Sequence, residues 1–173
     1  MKKILMSITI ALLPLIVLAG IGYAAPALAL AERTALTGTE TRFFGAPERV
    51  WTADGLTQIR GLELTGTFTF SGAGITLTGP ETQIVNATIM ANGDVVTSGK
   101  VTYTDQATGV TCTGTVIGKV TNALGTLKVN APCSDGTHLK GTLQDVSTDP
   151  PGAVPPSSVT SSFTGELLSP GQN

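Results

Sequence analysis

The chain has 173 residues, with 10 basic side chains, 12 acidic side chains, one histidine and two cysteines. It contains no basic block of the kind that tracks nucleic-acid phosphates or anionic lipid, so nucleic acid is not an expected partner. Aromatic and charged residues are sparse.

Residues 1–29 have the pattern of an export signal. Lys2 and Lys3 precede an apolar run over residues 4–22, and Ala27-Leu28-Ala29 matches the small-x-small pattern that signal peptidases recognise. We expect cleavage after Ala29 or Ala31. The expected location is therefore secreted or extracytoplasmic, in the periplasm or at the cell surface, with no stable membrane insertion after cleavage.

An uncleaved membrane anchor is the alternative for this segment. The apolar run contains 19 residues and nearly reaches the length of a membrane span. Pro14 in the middle of the run and the two candidate cleavage points favour removal.

Removal of residues 1–29 leaves 144 residues with a net charge of −4, enough for one domain with a sizeable core. Threonine and glycine dominate this part of the chain. Threonine favours strands, and helix-forming residues are nowhere spaced at a 3.6-residue period. The sequence therefore predicts an all-β domain over residues 30–146.

The first predicted hairpin turns at Asp54-Gly55 and pairs Val50 with Ile59. The inward-facing positions then change from odd to even numbers by Leu62. A β-bulge at Arg60-Gly61 would produce this change.

Residues 62–70 alternate between an apolar face and a polar face, which is the pattern of a strand with one buried side. Similar alternation recurs near residues 85–89, 101–103, 110–116, 127–131 and 139–143, with turn signals between the runs. We predict an antiparallel up-and-down meander of about 8–10 strands, closed or partly closed into a barrel.

The pairing of two predicted hairpins can be worked out from their turns, because the numbers of paired residues sum to a constant in a regular hairpin. A turn at Asn122-Ala123 gives a sum of 245 and places Cys112 opposite Cys133. A turn at residues 134–136 gives a sum of 270 and places Val129 opposite Gly141. Glycine then faces larger aliphatic residues, as in small, strongly curved barrels.

Residues 147–158 are rich in proline and serine and are predicted to form a linker. Residues 159–173 contain a run, Val159 to Leu168, that could return as a closing strand, followed by a frayed tail.

Cys112 and Cys133 are the only cysteines, and their predicted cross-strand positions favour a structural disulfide in an exported protein. The alternative is a free or redox-active pair, but there is no Cys-x-x-Cys motif or flanking basic group. A zinc site needs three or four protein ligands, which one histidine and a bonded cysteine pair cannot supply. We therefore expect no metal and no other cofactor.

His138 is predicted to be a solvated surface residue. Lys140 and Thr142 share its strand face and supply neither an orienting carboxylate nor an activated nucleophile. Asn92-Gly93-Asp94 and Ser134-Asp135-Gly136 lack the ligand density of a calcium loop and are predicted to serve as turns. We therefore assign no catalytic residue from the sequence.

Arg49, Trp51, Gln58, Arg60 and Tyr103 are the candidate ligand-binding residues. The predicted hairpin places Trp51 opposite Gln58 with both arginines nearby, which suits an anion-binding, ring-stacking barrel mouth. Tyr103 is the candidate residue of the inner wall, since it lies two positions after inward-facing Val101 and so shares its strand face. The alternative is that Trp51 is an aromatic plug closing one barrel end.

The chain resembles a group of small secreted bacterial β-barrel proteins whose function is not established. The likeness rests on Arg49-Val50-Trp51, Ile59-Arg60-Gly61, Asn92-Gly93-Asp94 and the Gly-Thr strand starts at Gly66, Gly114 and Gly141. It covers roughly residues 36–145, and it implies a calycin-like or allene-oxide-cyclase-like barrel. It transfers no functional residues.

The leading functional expectation is a secreted, non-catalytic binding module for a small, partly apolar ligand at the barrel mouth. The alternative is a structural or interaction protein of the cell envelope. A hydrolase or isomerase on the same scaffold comes third. The expected partners are therefore a small molecule or an envelope component.

Overall fold

The computed structural model of the protein describes residues 32–122, 124–147 and 158–170. The predicted export signal with its cleavage sites, most of the predicted linker and the last three residues lie outside the described residues. Within those ranges, no helix is long and apolar enough to cross a membrane.

In the described part of the chain, nine antiparallel strands make up a single sheet. They are β1 (Glu32–Phe44), β2 (Arg49–Ala53), β3 (Leu56–Gly72), β4 (Ile75–Ile89), β5 (Val95–Thr104), β6 (Thr111–Thr121), β7 (Leu124–Pro132), β8 (His138–Ser147) and β9 (Ser158–Ser169). Eight of them close a barrel in the order β1-β9-β8-β7-β6-β5-β4-β3, with β3 returning to β1. The predicted all-β antiparallel barrel is confirmed.

The remaining strand, β2, pairs only with the first part of β3 and lies outside the closed ring. β3 pairs with β2 over residues 56–60 and with β1 over residues 64–71. The register with β4 shifts between Ile59 and Leu62, and Gly61 has φ 61°. Glycine adopts this left-handed conformation without strain, so the predicted bulge at Arg60-Gly61 is confirmed.

Barrel closure requires glycine where β1 meets β3. A β-carbon added at Gly38 would overlap the carbonyl oxygen of Thr69, and one added at Gly66 would overlap that of Thr41. The two backbones therefore approach more closely than side chains at these positions would permit.

The register predicted for the two later hairpins is confirmed. Val116 pairs with Val129 between β6 and β7, and Val129 pairs with Gly141 between β7 and β8. Cys112 and Cys133 face each other in an isolated bridge and form a disulfide, with their Cα atoms 3.8 Å apart. β9 lies between β8 and β1 and completes the ring.

Hairpin connectivity defines two barrel ends. One end carries the connections at residues 72–75, 105–110 and 133–137 and is called the cavity end, because a cavity described below opens there. The other end, called the Trp51 end, carries the connections at 54–55, 90–94 and around 122. Between the ends, Phe70 stacks on Phe163 with ring centroids 4.0 Å apart, and Phe68 meets Tyr103 edge-on at 5.0 Å. These rings fill the barrel on the cavity side of its centre.

Candidate functional site

An open cavity of about 280 Å³ lies at the cavity end of the barrel. Apolar residues form its walls and polar residues its rim. The lining consists of Phe68, Ile75, Leu77, Tyr103, Asp105, Thr108, Val110, Cys112, Asp135, Thr137, Leu139, Leu167 and Ser169. The rings of Phe68 and Tyr103 are nearly inaccessible to solvent and belong to the packed core below.

Asp105 fixes the loop that forms one side of this cavity. Its carboxylate accepts hydrogen bonds from the backbone N–H of Thr78 at 3.0 Å and from the N–H and hydroxyl of Thr108 at 3.0 and 2.6 Å. Burial acts to raise the pKa of Asp105, but these hydrogen bonds outweigh it and hold the pKa below its usual value. The loop is therefore held by an ionised carboxylate.

The charged residues that line the cavity are acidic. Asp135 accepts hydrogen bonds from the N–H and hydroxyl of Thr137 at 3.0 and 2.7 Å, which orders the β7–β8 turn. The lining contains Asp105 and Asp135 but no lysine, arginine or histidine. An apolar body with a neutral or cationic polar group fits this lining better than an anion does.

A buried polar cluster lies on the far side of Tyr103. It consists of Glu40 and Arg42 on β1, Glu81 and Gln83 on β4, Asp145 on β8 and Ser161 on β9. Each of these residues occupies an inward-facing position of its strand.

Arg42 is the centre of the cluster, with a side chain only 3% exposed. Its Nε lies 2.9 Å from Glu40 Oε1, and its Nη2 lies 2.5 Å from both Asp145 Oδ1 and Ser161 Oγ. Burial acts to lower the pKa of Arg42, but the charges of Glu40 and Asp145 outweigh it and raise the pKa. The guanidinium is therefore charged and balances two carboxylates.

Glu81 has no comparable partner. Its carboxyl is fully buried, its closest approach to Arg42 Nε is 3.9 Å, and neither of its oxygens accepts a hydrogen bond. Burial, and then the charge of Glu40, raise the pKa of Glu81 to about 10. Glu81 is therefore neutral at pH 7, and its proton can be shared with the carboxylate of Glu40.

Tyr103 separates this carboxyl pair from the cavity. Its hydroxyl donates a hydrogen bond to Glu40 Oε2 at 3.0 Å, and burial raises the pKa of Tyr103 well above its usual value. Neither Glu40 nor Glu81 lines the cavity. A general acid must come within hydrogen-bond reach of its substrate, so a molecule in the cavity would meet the Tyr103 ring and neither carboxyl.

The candidate residues taken from the sequence divide between the two ends. Trp51 pairs with Gln58 and Arg49 pairs with Arg60 on the β2–β3 hairpin, as the register predicted. Tyr103 lines the cavity at the other end. Trp51 shares the outer face with Gln58, while the next residue, Ile59, points into the core, so Trp51 does not plug the barrel.

His138 lies on the outer face beside the cavity, with its Nε2 2.8 Å from Asn130 Oδ1.

The predicted turn role of Asn92-Gly93-Asp94 is seen in the hydrogen bond from the Asp94 N–H to Asn92 Oδ1. Across the described ranges, no group of three histidine, cysteine or acidic side chains is placed to hold a metal ion.

A larger depression of about 550 Å³ lies over the outer surface of β7, β8 and β9. It is shallow and lined in part by the exposed side chains of Lys128, Asn130 and Lys140. Because it has no enclosing walls, it offers a ligand much less burial than the end cavity.

Comparison with known proteins supplies no further assignment. No family model matches the chain, and neither curated proteins nor solved structures provide a significant match. The resemblance to calycin-like barrels stays a prediction.

Proposed function

We propose that the protein is an exported, non-catalytic binding module that holds a small, partly apolar ligand at the cavity end of its barrel. The observation that carries this proposal is the 280 Å³ cavity, with apolar walls and a polar rim on an ordered frame. Its volume is just below the usual range of about 300–1,000 Å³ for ligand pockets, which favours a small molecule.

The frame of the cavity is suited to binding without large rearrangement. The disulfide joins β6 to the end of β7 at the cavity wall, and Asp105 fixes the adjoining loop. Preorganisation of this kind lowers the entropic cost of binding. The disulfide is also compatible with an oxidising compartment outside the cytoplasm.

The proposal can be tested with the neutral fluorescent probe N-phenyl-1-naphthylamine. Val110 lines the cavity and is only partly buried, so Val110→Trp should fill cavity volume with little disturbance of the core. We expect the wild type to bind the probe with increased probe fluorescence, and Val110→Trp to weaken binding at least tenfold. Native mass spectrometry of protein purified from its own host should show a retained small molecule.

His138→Ala is the matched control, because His138 lies beside the cavity on the outer face and does not line it. It should bind the probe as the wild type does. Equal probe binding by the wild type and Val110→Trp would contradict the proposed site. Loss of binding in Trp51→Ala alone would move the site to the other end of the barrel.

A further inference from the structure

We propose that Arg49, Trp51 and Arg60 form a second binding surface, at the Trp51 end of the molecule, for a carboxylate-bearing sugar chain. This surface lies on the outer face of the β2–β3 hairpin and shares no residue with the cavity. The inference is therefore independent of the proposed ligand at the cavity end.

The three side chains form one compact group. The guanidinium carbon of Arg49 lies 4.7 Å from the centroid of the Trp51 ring, and that of Arg60 lies 5.4 Å from it. Arginine stacks well on aromatic rings because its planar cation is weakly hydrated. The result is one indole ring flanked by two guanidinium groups, which carry two positive charges.

The two arginines are directly opposite each other in the register of β2 and β3. Like charges at directly opposed positions destabilise a sheet. Neither arginine forms an ion pair with a carboxylate of the described residues, although Glu48 lies nearby with its side chain against Gly61. An anionic occupant that pairs directly with the guanidinium groups would reduce this repulsion.

The surface is also partly preorganised. Arg60 donates hydrogen bonds to the carbonyl oxygen of Ile59 at 3.0 Å and to Gln58 Oε1 at 3.0 Å. Gln58 Oε1 in turn accepts a hydrogen bond from the Thr88 hydroxyl at 2.9 Å. Arg60 is thus fixed beside the indole, while exposed Arg49 stays accessible to an incoming anion.

A carboxylated sugar chain fits these features better than a nucleic acid does. A sugar ring can pack its C–H face against the indole and guanidinium groups while its carboxylate accepts paired hydrogen bonds from a guanidinium. Nucleic acid requires several cations along a phosphate track, whereas this chain has more acidic than basic residues and offers two arginines here.

The test uses the intrinsic fluorescence of Trp51, the only tryptophan of the chain. Polygalacturonate, neutral dextran and oligothymidylate are titrated into the intact protein at low and high salt. We expect a change in tryptophan emission with polygalacturonate that weakens as salt increases, and none with the other two polymers. Arg49→Gln should weaken polygalacturonate binding at least tenfold.

Arg33→Gln is the matched control, because Arg33 is an exposed arginine on β1 that is already paired with Glu166. It should bind polygalacturonate as the wild type does. The midpoint of thermal unfolding of Arg49→Gln is measured as well, and a midpoint at or above that of the wild type shows that a loss of binding is not caused by unfolding. Absence of polygalacturonate binding at millimolar uronate, equal losses in both variants, or equal binding of oligothymidylate would overturn the proposal.

Discussion

Replacing Arg42 with methionine is expected to lower the free energy of unfolding by about 3–5 kcal/mol, because the change leaves buried carboxylates without their cation. Arg42 is the only cation in contact with Glu40 and Asp145 among the described residues. Domains of this kind are stable by about 5–15 kcal/mol, so the loss would be a large part of the total. Urea unfolding at pH 7 measures it.

Two further variants make this prediction specific. Arg33→Met removes an exposed arginine whose side chain is 72% accessible, and surface ion pairs contribute only about 0–1 kcal/mol. Adding Glu40→Gln to Arg42→Met removes a charge that has lost its partner and should restore part of the stability. A loss below about 1 kcal/mol in Arg42→Met would show that the cluster is hydrated rather than dry.

The parts of the barrel that sequence reasoning predicted are those with apolar inward faces. In β6, in β7 and in β8 up to Leu143, the inward positions are apolar or glycine, so alternation placed Cys112 opposite Cys133. The bulge at Gly61 could also be predicted, because it changes the inward positions from odd to even residue numbers. The local alternation of apolar residues was sufficient to predict the register wherever the buried side chains are apolar.

The polar cluster was missed for the same physical reason. The inward positions of β1 include Gly38, Glu40 and Arg42, and those of the first half of β4 include Gly79 and Glu81. These residues show no apolar alternation, and their burial is tolerated only because strands distant in sequence bring the charges together. The i, i+2 spacing of Glu40 and Arg42 was the one available signal.

The cavity could not be located from the sequence either. Parity indicated that Tyr103 points inward, and it does, but parity does not say which barrel end stays open. That depends on how the loop at residues 105–110 and the turn at 133–137 sit over the core, which is set by hydrogen bonds such as those of Asp105. Tyr103 and Trp51 were therefore grouped although they serve opposite ends.

Glu81→Gln is expected to stabilise the protein at neutral and alkaline pH. The pKa of Glu81 is about 10 in the folded protein and 4.5 without the influence of the fold, so between these values only the folded state keeps the proton. The stability that the raised pKa of Glu81 contributes is fully present below pH 4.5. It is lost as pH rises towards 10, by about 1.4 kcal/mol per pH unit. Glutamine stays neutral, so at pH 7 the variant should gain on the order of 3 kcal/mol.

The interior of the barrel has room for this change. Gln83, the next inward residue on β4, is buried, which shows that an amide is accepted here. Its Nε2 donates a hydrogen bond to Glu40 Oε1 at 3.5 Å. The amide introduced at position 81 can likewise donate to Glu40.

The measurement is urea unfolding of the wild type and Glu81→Gln at several pH values between 4.5 and 9. The two stabilities should be similar at pH 4.5 and diverge as pH increases, with the steeper fall in the wild type. The raised pKa of Glu40 gives the variant a pH slope of the same sign. Glu63→Gln on the exposed face of β3 is the control and should leave the pH dependence unchanged. Parallel pH profiles for the wild type and Glu81→Gln would mean that Glu81 is ionised in the folded barrel, and the assignment of a shared proton would be wrong.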